Sequence, residues 1–198
     1  MMLSRRSFLA AAAAAPALAA CADLPPPPQF PPISFAPRGT FRFEALRVEV
    51  AFDYQAPLAP PHVEHLFART PEATLRLWVA ERLAASGRGE RFVRFVVLDA
   101  RVTETDLPRT QGFRGTFTTE PAQRYDGRIE CAVEIRQQRG NFRDGIATAT
   151  AVRQRSVLEN ISLNDRERVW YEMTQEMMRD IDAELHRQIE ASLARFYA

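Results

Sequence analysis

Between residues 46 and 54, apolar and polar side chains alternate: Leu46, Val48, Val50, Phe52 and Tyr54 against Arg47, Glu49, Ala51 and Asp53. Period two with one polar face predicts a half-buried strand. Phe41, Phe43 and Ala45 sit in the opposite phase, which predicts a bulge or break near residues 45–46. The period then changes. Thr70-Pro71-Glu72 reads as an N-cap, a first-turn proline and an acid at the positive end of a helix dipole. Leu75, Trp78, Val79 and Leu83 follow at helical spacing, and Gly87 is the expected stop.

Residues 92–102 form the next expected strand. It is apolar on both phases at first (Val93, Phe95, Val96, Val97, Leu98), which predicts a central position covered on both faces. Residues 125–136 alternate cleanly, with Tyr125, Gly127, Ile129, Cys131, Val133 and Ile135 on one side. Gly140-Asn141 supplies turn chemistry, so 142–157 is expected to return as the second arm of an antiparallel hairpin. Ala147, Ala149 and Ala151 give that arm a small-residue face open to close approach by a helix. Ser162 or Asn164 opens the last helix, whose stripe runs Val169, Met173, Met177, Ile181, Leu185, Ile189, Leu193 and Phe196.

The expected fold class is therefore α+β: an antiparallel four-stranded sheet with two helices packed on one face, in the order strand-helix-strand-strand-strand-helix. One domain is expected over residues 41–198, a size within the range of a single core. Ahead of it, residues 22–40 hold Pro25, Pro26, Pro27, Pro28, Pro31, Pro32 and Pro37. Consecutive prolines favour an extended polyproline backbone, which predicts that residues 21–40 are a stiff tether.

The first 21 residues follow another logic. Ser4-Arg5-Arg6-Ser7-Phe8-Leu9 precedes an Ala-rich apolar run and then Leu18-Ala19-Ala20-Cys21. Paired arginines, a short apolar stretch and small residues before a cleavage point mark an export signal. The Ser-Arg-Arg-x-Phe-Leu order resembles a bacterial twin-arginine (Tat) signal, with Arg5 and Arg6 as its arginines. Leu18-Ala19-Ala20-Cys21 resembles a bacterial lipobox. That resemblance implies cleavage after residue 20, lipid such as palmitate on Cys21, and attachment to a bacterial envelope membrane facing the periplasm. Ala22 rather than Asp follows the cysteine, which by resemblance to known sorting favours the outer membrane.

The element order behind such a leader is similar to small envelope lipoproteins that assist lipid and lipopolysaccharide transport. It looks most like the lipoprotein that plugs the lipopolysaccharide-export barrel and the auxiliary lipoproteins of ABC-type lipid carriers. The resemblance implies a non-catalytic accessory module whose partners are the membrane and another envelope protein or a lipid. No signature site residue of those families is matched here.

Charge narrows the functional classes. Removing residues 1–20 takes away Arg5 and Arg6 and no acid, so the formal charge moves from +1 to −1. Such balance gives no field to draw in nucleic acid. All 26 basic residues are arginine. With Cys21 lipidated, Cys131 stands alone among Ile129, Val133 and Ile135, the setting of a small buried apolar residue. No cofactor motif is present, and neither a nucleophile elbow nor a phosphate-cradling glycine loop appears.

The competing reading, an anchored periplasmic hydrolase or metal-binding protein, would be built on His62 and His65, with Glu64 between them, and on the connection 107–123. Exposed loop histidines, and no metal site, are the expectation. Glu72, Glu81, Asp99, Glu130 and Glu134 fall on expected solvent faces, where they read as ordinary surface charges. The candidate for partner binding is the long connection 107–123, with Arg109, Phe113, Arg114 and Phe117 beside flexible glycines. Its phenylalanines suit docking and core filling about equally well.

Overall fold

A computed structural model describes residues 29–108, 121–158 and 160–198. Four strands form the main sheet: β2 (Val48–Phe52), β4 (Arg91–Asp106), β5 (Pro121–Gln137) and β6 (Arg143–Leu158), in the spatial order β2-β4-β5-β6. A separate two-stranded sheet pairs β1 (Phe41–Phe43) with β3 (Leu83–Ala85). The helices are α1 (Pro71–Arg82) and α2 (Leu163–Ser192). The fold is α+β, and both helices pack on one face of the main sheet through Trp78 against Phe95 and the methionines of α2 against β5.

The purely antiparallel sheet is corrected. β4-β5 and β5-β6 are antiparallel, but β2 pairs with β4 in parallel, Val48 opposite Val93 through Phe52 opposite Val97. A single helix between two neighbouring strands carries the chain back to its starting end, so the second strand must run as the first does. The phase change at residues 45–46 is a true break. Upstream, β1 belongs to the small sheet; downstream, Leu46 N–H donates to Arg91 O and the chain joins β4.

The first helix is also shorter than expected. Thr70 caps it through Ala73 N–H, but it ends at Arg82, and Leu83–Ala85 turns into a strand beside β1. Pairing with β1 overrides the helical preference of Leu-Ala-Ala. Gly87, at φ +75°, turns the chain after this strand and does not end the helix.

β4 is central, yet it is layered on one side only. Phe95 and Val97 face the helices, whereas Arg94, Val96 and Leu98 lie on the open face. Val96 and Ala132 are buried there beneath the stems of Arg94, Arg136 and Arg143, with Glu134 between them. The expected double cover is replaced by arginine side chains.

The long helix and the hairpin agree with the sequence pattern. Ser162 Oγ accepts from Asp165 N–H and donates to the Asp165 carboxylate, closing the first turn reciprocally. Met173, Met177, Ile181, Leu185, Ile189 and Leu193 are fully buried against the sheet. The Ala147, Ala149, Ala151 face lies under α2, and Gly127 of β5 completes the contact. A Cβ on Gly127 would run into Met173 Cε and stand 2.9 Å from Met177 Sδ. Gly127→Val is expected to destabilise the domain by about 1–3 kcal/mol through overpacking. Thr150→Val on the open face should stay within about 0.5 kcal/mol. Urea denaturation at constant slope checks both.

Residues 29–40 fall inside the span expected as tether, but here the chain is bound to the domain. Phe30 stacks on Tyr171 at 4.6 Å between centroids, Tyr171 Oη donates to Pro31 O, and Phe35 is buried. Glu81 accepts from the backbone N–H groups of Phe35 and Ala36. Extended proline-rich backbone has no internal hydrogen bonds and docks as readily as it spans.

Candidate functional site

Residues 30–43 run alongside α2, and a buried polar hub fastens them. Asp182 of α2 accepts from Trp78 Nε1 at 2.8 Å and from Arg82 Nε at 3.0 Å, both from α1, and pairs with Arg38 at 2.8 Å. Asp182 and Arg82 are each 1% exposed. Arg82 also donates to the backbone carbonyls of Arg38 and Gly39, and its guanidinium lies 4.6 Å from the Phe41 ring centroid. His186 Nδ1 stands 3.2 Å from Arg82 Nη2. One carboxylate thus ties both helices to the segment that leads away to residue 21.

This hub was not foreseen. The only signals for it are an acid beside Ile181 in the apolar stripe and an arginine four residues after Trp78. Next to it opens a cavity of about 340 Å³ lined by Arg38, Phe41, Arg42, Arg82, His186 and Tyr197 among others. That volume lies at the lower end for small-molecule sites.

The two histidines of the His-x-x-His segment diverge. His62 Nδ1 lies 3.3 Å from Tyr54 Oη and 3.4 Å from the Glu64 carboxylate. His65 instead lines a mostly apolar cavity of about 200 Å³ with Tyr54, Leu58, Glu64, Thr70 and Pro71. Glu64 is itself an anchor, accepting from Tyr54 Oη and from Val102 N–H at 3.1 Å. Burial, then the bond to Glu64, raises the Tyr54 phenol above its ordinary range. No three His, Cys, Asp or Glu side chains come together as a metal site among the described residues.

The remaining titratable groups are held in place. Cys131 is buried, and that burial raises its thiol well above the usual range, so no thiolate is on offer. Asp99 and Glu134 are corrected from ordinary surface charges to buried ones, 8% and 7% exposed. Asp99 pairs with Arg101 and Arg128, while Glu134 pairs with Arg136 at 2.6 Å and Arg143 at 3.1 Å.

Three carboxyls are held below their ordinary values. For Glu134, burial opposes ionisation, but Arg136 and Arg143 outweigh it. For Asp126, burial is likewise outweighed, by Gln154 and Arg124. For Asp144, hydrogen bonds from Arg91 and Gln137 act almost unopposed. A carboxyl depressed in the fold stabilises it above the unfolded range near about 4 and loses that contribution as pH falls through the folded value. Stability is therefore expected to be retained at neutral pH and to drop below about pH 4. Urea titrations at neutral and acid pH check this; equal stability would show that these pairs contribute nothing.

The far ends of β4 and β5, with the first turns of α2, form the end of the domain where the connection 107–123 is rooted. Leu107 N–H donates to Ala122 O, and Arg166 reaches Gln123. Phe67 stacks on Trp170 at 4.7 Å, with Tyr125 edge-on at 5.7 Å. Tyr125 Oη, Trp170 Nε1 and Thr174 Oγ1 are buried here without hydrogen-bond partners among the described residues. Burial pushes the Tyr125 phenol up to about 12. Leu66, Leu158 and Leu163 are exposed at this end, Leu163 to 68%.

The residues proposed from sequence are not brought into this geometry. Arg5, Arg6 and Cys21 precede residue 29, and Arg109, Phe113, Arg114 and Phe117 fall in 109–120; all lie outside the described residues. No helix among the described residues is long and apolar enough to cross a membrane.

No family model matches the chain, and neither does any curated protein. Among solved structures, the chain is similar to a minor lipoprotein from Acinetobacter baumannii, with 13% identity over 74% of this chain and 91% of that one and a TM-score of 0.37. A Xanthomonas campestris protein described as DUF330 shares 9% identity over 80% and 93%, with a TM-score of 0.33. Rare lipoprotein B from Shewanella oneidensis shares 11% over 73% and 92%, with a TM-score of 0.29. Likenesses this distant assign neither fold nor function.

Proposed function

We propose that the chain is a lipid-anchored bacterial envelope lipoprotein acting as a non-catalytic accessory or binding module, in lipid or lipopolysaccharide transport or in envelope assembly. The observation that carries this reading is the order Ser4-Arg5-Arg6-Ser7-Phe8-Leu9, apolar run, Leu18-Ala19-Ala20-Cys21. Residues 1–20 are then a Tat-type signal, Cys21 takes the lipid, and the domain faces the periplasm, with Ala22 favouring the outer membrane. The non-catalytic part is supported by the site chemistry: the Cys131 thiol is buried and raised, and Asp99, Glu134 and Asp182 are committed to ion pairs. A general acid, base or nucleophile needs a free group with a pKa near its working pH.

The docking part stays with Arg109, Phe113, Arg114 and Phe117, on the connection rooted between β4 and β5. Labelling with radioactive palmitate and fractionation in the native host test the anchor. Cys21→Ser is expected to abolish incorporation of the label, and Arg5→Lys with Arg6→Lys to hold the protein in the cytoplasm. A Cys21→Ser protein that takes up as much label as the natural chain would contradict the lipid anchor.

A further inference from the structure

We infer that the end of the domain bearing Leu66, Leu158 and Leu163 rests on the phospholipid surface that holds Cys21, so that the module is oriented and does not tumble on its leash. The inference rests on the anchored reading above and adds the contact surface. Its first support is where the described chain begins. Residues 30–43 climb along α2: Phe30 lies on Tyr171, Arg38 on Asp182, Phe41 by His186 and Phe43 by Tyr197. The described chain therefore begins beside Tyr171, in the N-terminal third of α2.

Length decides how far it can go. Cys21 and Gln29 are eight residues apart, a reach of at most roughly 28 Å. Tyr171 stands eight residues into α2, about 12 Å from the helix start and about 32 Å from its last residue, Ser192. The near end is well within reach of a bilayer holding Cys21. To stand on the opposite end, the chain would have to double back over a distance longer than itself.

The second support is what the near end shows to solvent. α2 opens directly after β6, so Leu158 and Leu163 flank the same turn, 46% and 68% exposed. Leu66 (57%) is exposed next to Phe67, which stacks on Trp170 about two turns into α2. At the opposite end, where Gly145 packs on Leu193 and Phe196 and Leu46 pairs with Arg91, the large apolar residues exposed among the described residues are Phe142 (68%) and, less so, Leu46 (39%). Exposed leucines beside the point of attachment suit insertion into an interface, where each buried CH2 adds to the hold of the acyl chain.

The test uses the full mature protein, acylated in its host and placed in vesicles of phosphatidylethanolamine and phosphatidylglycerol with nitroxide-labelled lipid. A small fluorophore is carried by Leu163→Cys, by Leu158→Cys or by Phe142→Cys; Cys131 is buried and spared. Intact mass first establishes that Cys21 is acylated. The labels at 163 and 158 are expected to lose most of their fluorescence, and the label at 142 to keep it. With Cys21 acylated, unquenched labels at 163 and 158, or equal quenching at 142, would overturn the orientation and leave the anchor standing. An unmodified Cys21 would remove the anchor and the orientation together.

Discussion

Asp182→Ala is expected to cost the folded domain about 3–5 kcal/mol, because it removes one partner of a buried ion pair and leaves the other charged in the core. Arg82 is 1% exposed, so its charge stays buried when its partner is removed. The same substitution strips the acceptor from Trp78 Nε1 and the counter-ion from Arg38. Against a typical stability of about 5–15 kcal/mol, this is a large fraction. The loss should not be uniform. Arg82 holds the carbonyls of Arg38 and Gly39, so the segment leading to residue 29 loosens first. Urea denaturation followed by tryptophan fluorescence should show the global loss, and limited trypsin digestion should show early cleavage after Arg38. A cost below about 1 kcal/mol, the range of exposed ion pairs, would contradict the buried hub.

Trp78→Ala is expected to cost a similar amount, about 3–5 kcal/mol, by a different cause. The indole is fully buried between α1 and the sheet, 5.5 Å from the Phe95 ring. Its removal leaves a cavity that the two layers cannot close, since α1 is fixed at its start by the Thr70 cap and at its end by β3. The lost donor to Asp182 adds to this. Because Trp78 and Asp182 share that bond, the double variant should cost less than the sum of the singles. Strict additivity in a double-mutant cycle would show that the two act separately.

What the sequence discloses divides along the reach of each interaction. The caps at Thr70 and Ser162 are legible because donor and acceptor lie three residues apart. The hairpin of β5 and β6 is legible from alternation plus Gly140-Asn141, and the close seat of α2 from Ala147, Ala149 and Ala151. The direction of β2 against β4 is set by the path of α1, which periodicity does not encode. The β1–β3 pair joins residues 42 positions apart, and its helix-forming Leu83, Ala84 and Ala85 argue for the other outcome.

The same limit hides the site. Asp182 looks like one more helix charge until Arg82, a hundred positions earlier, is folded against it. Glu64 looks like a third metal ligand until Val102 N–H and Tyr54 claim its oxygens. Proline content predicts an extended backbone at 30–37 and is silent on whether Phe30 and Phe35 find a surface.

The central claim is a covalent one, and the mass of the natural protein tests it most directly. Extracted from its own membranes with detergent, the chain should begin at Cys21 and exceed the mass of residues 21–198 by a diacylglyceryl group, with or without one further acyl chain. A chain that still starts at Met1 or Met2, with Cys21 bearing a free thiol, would contradict the account.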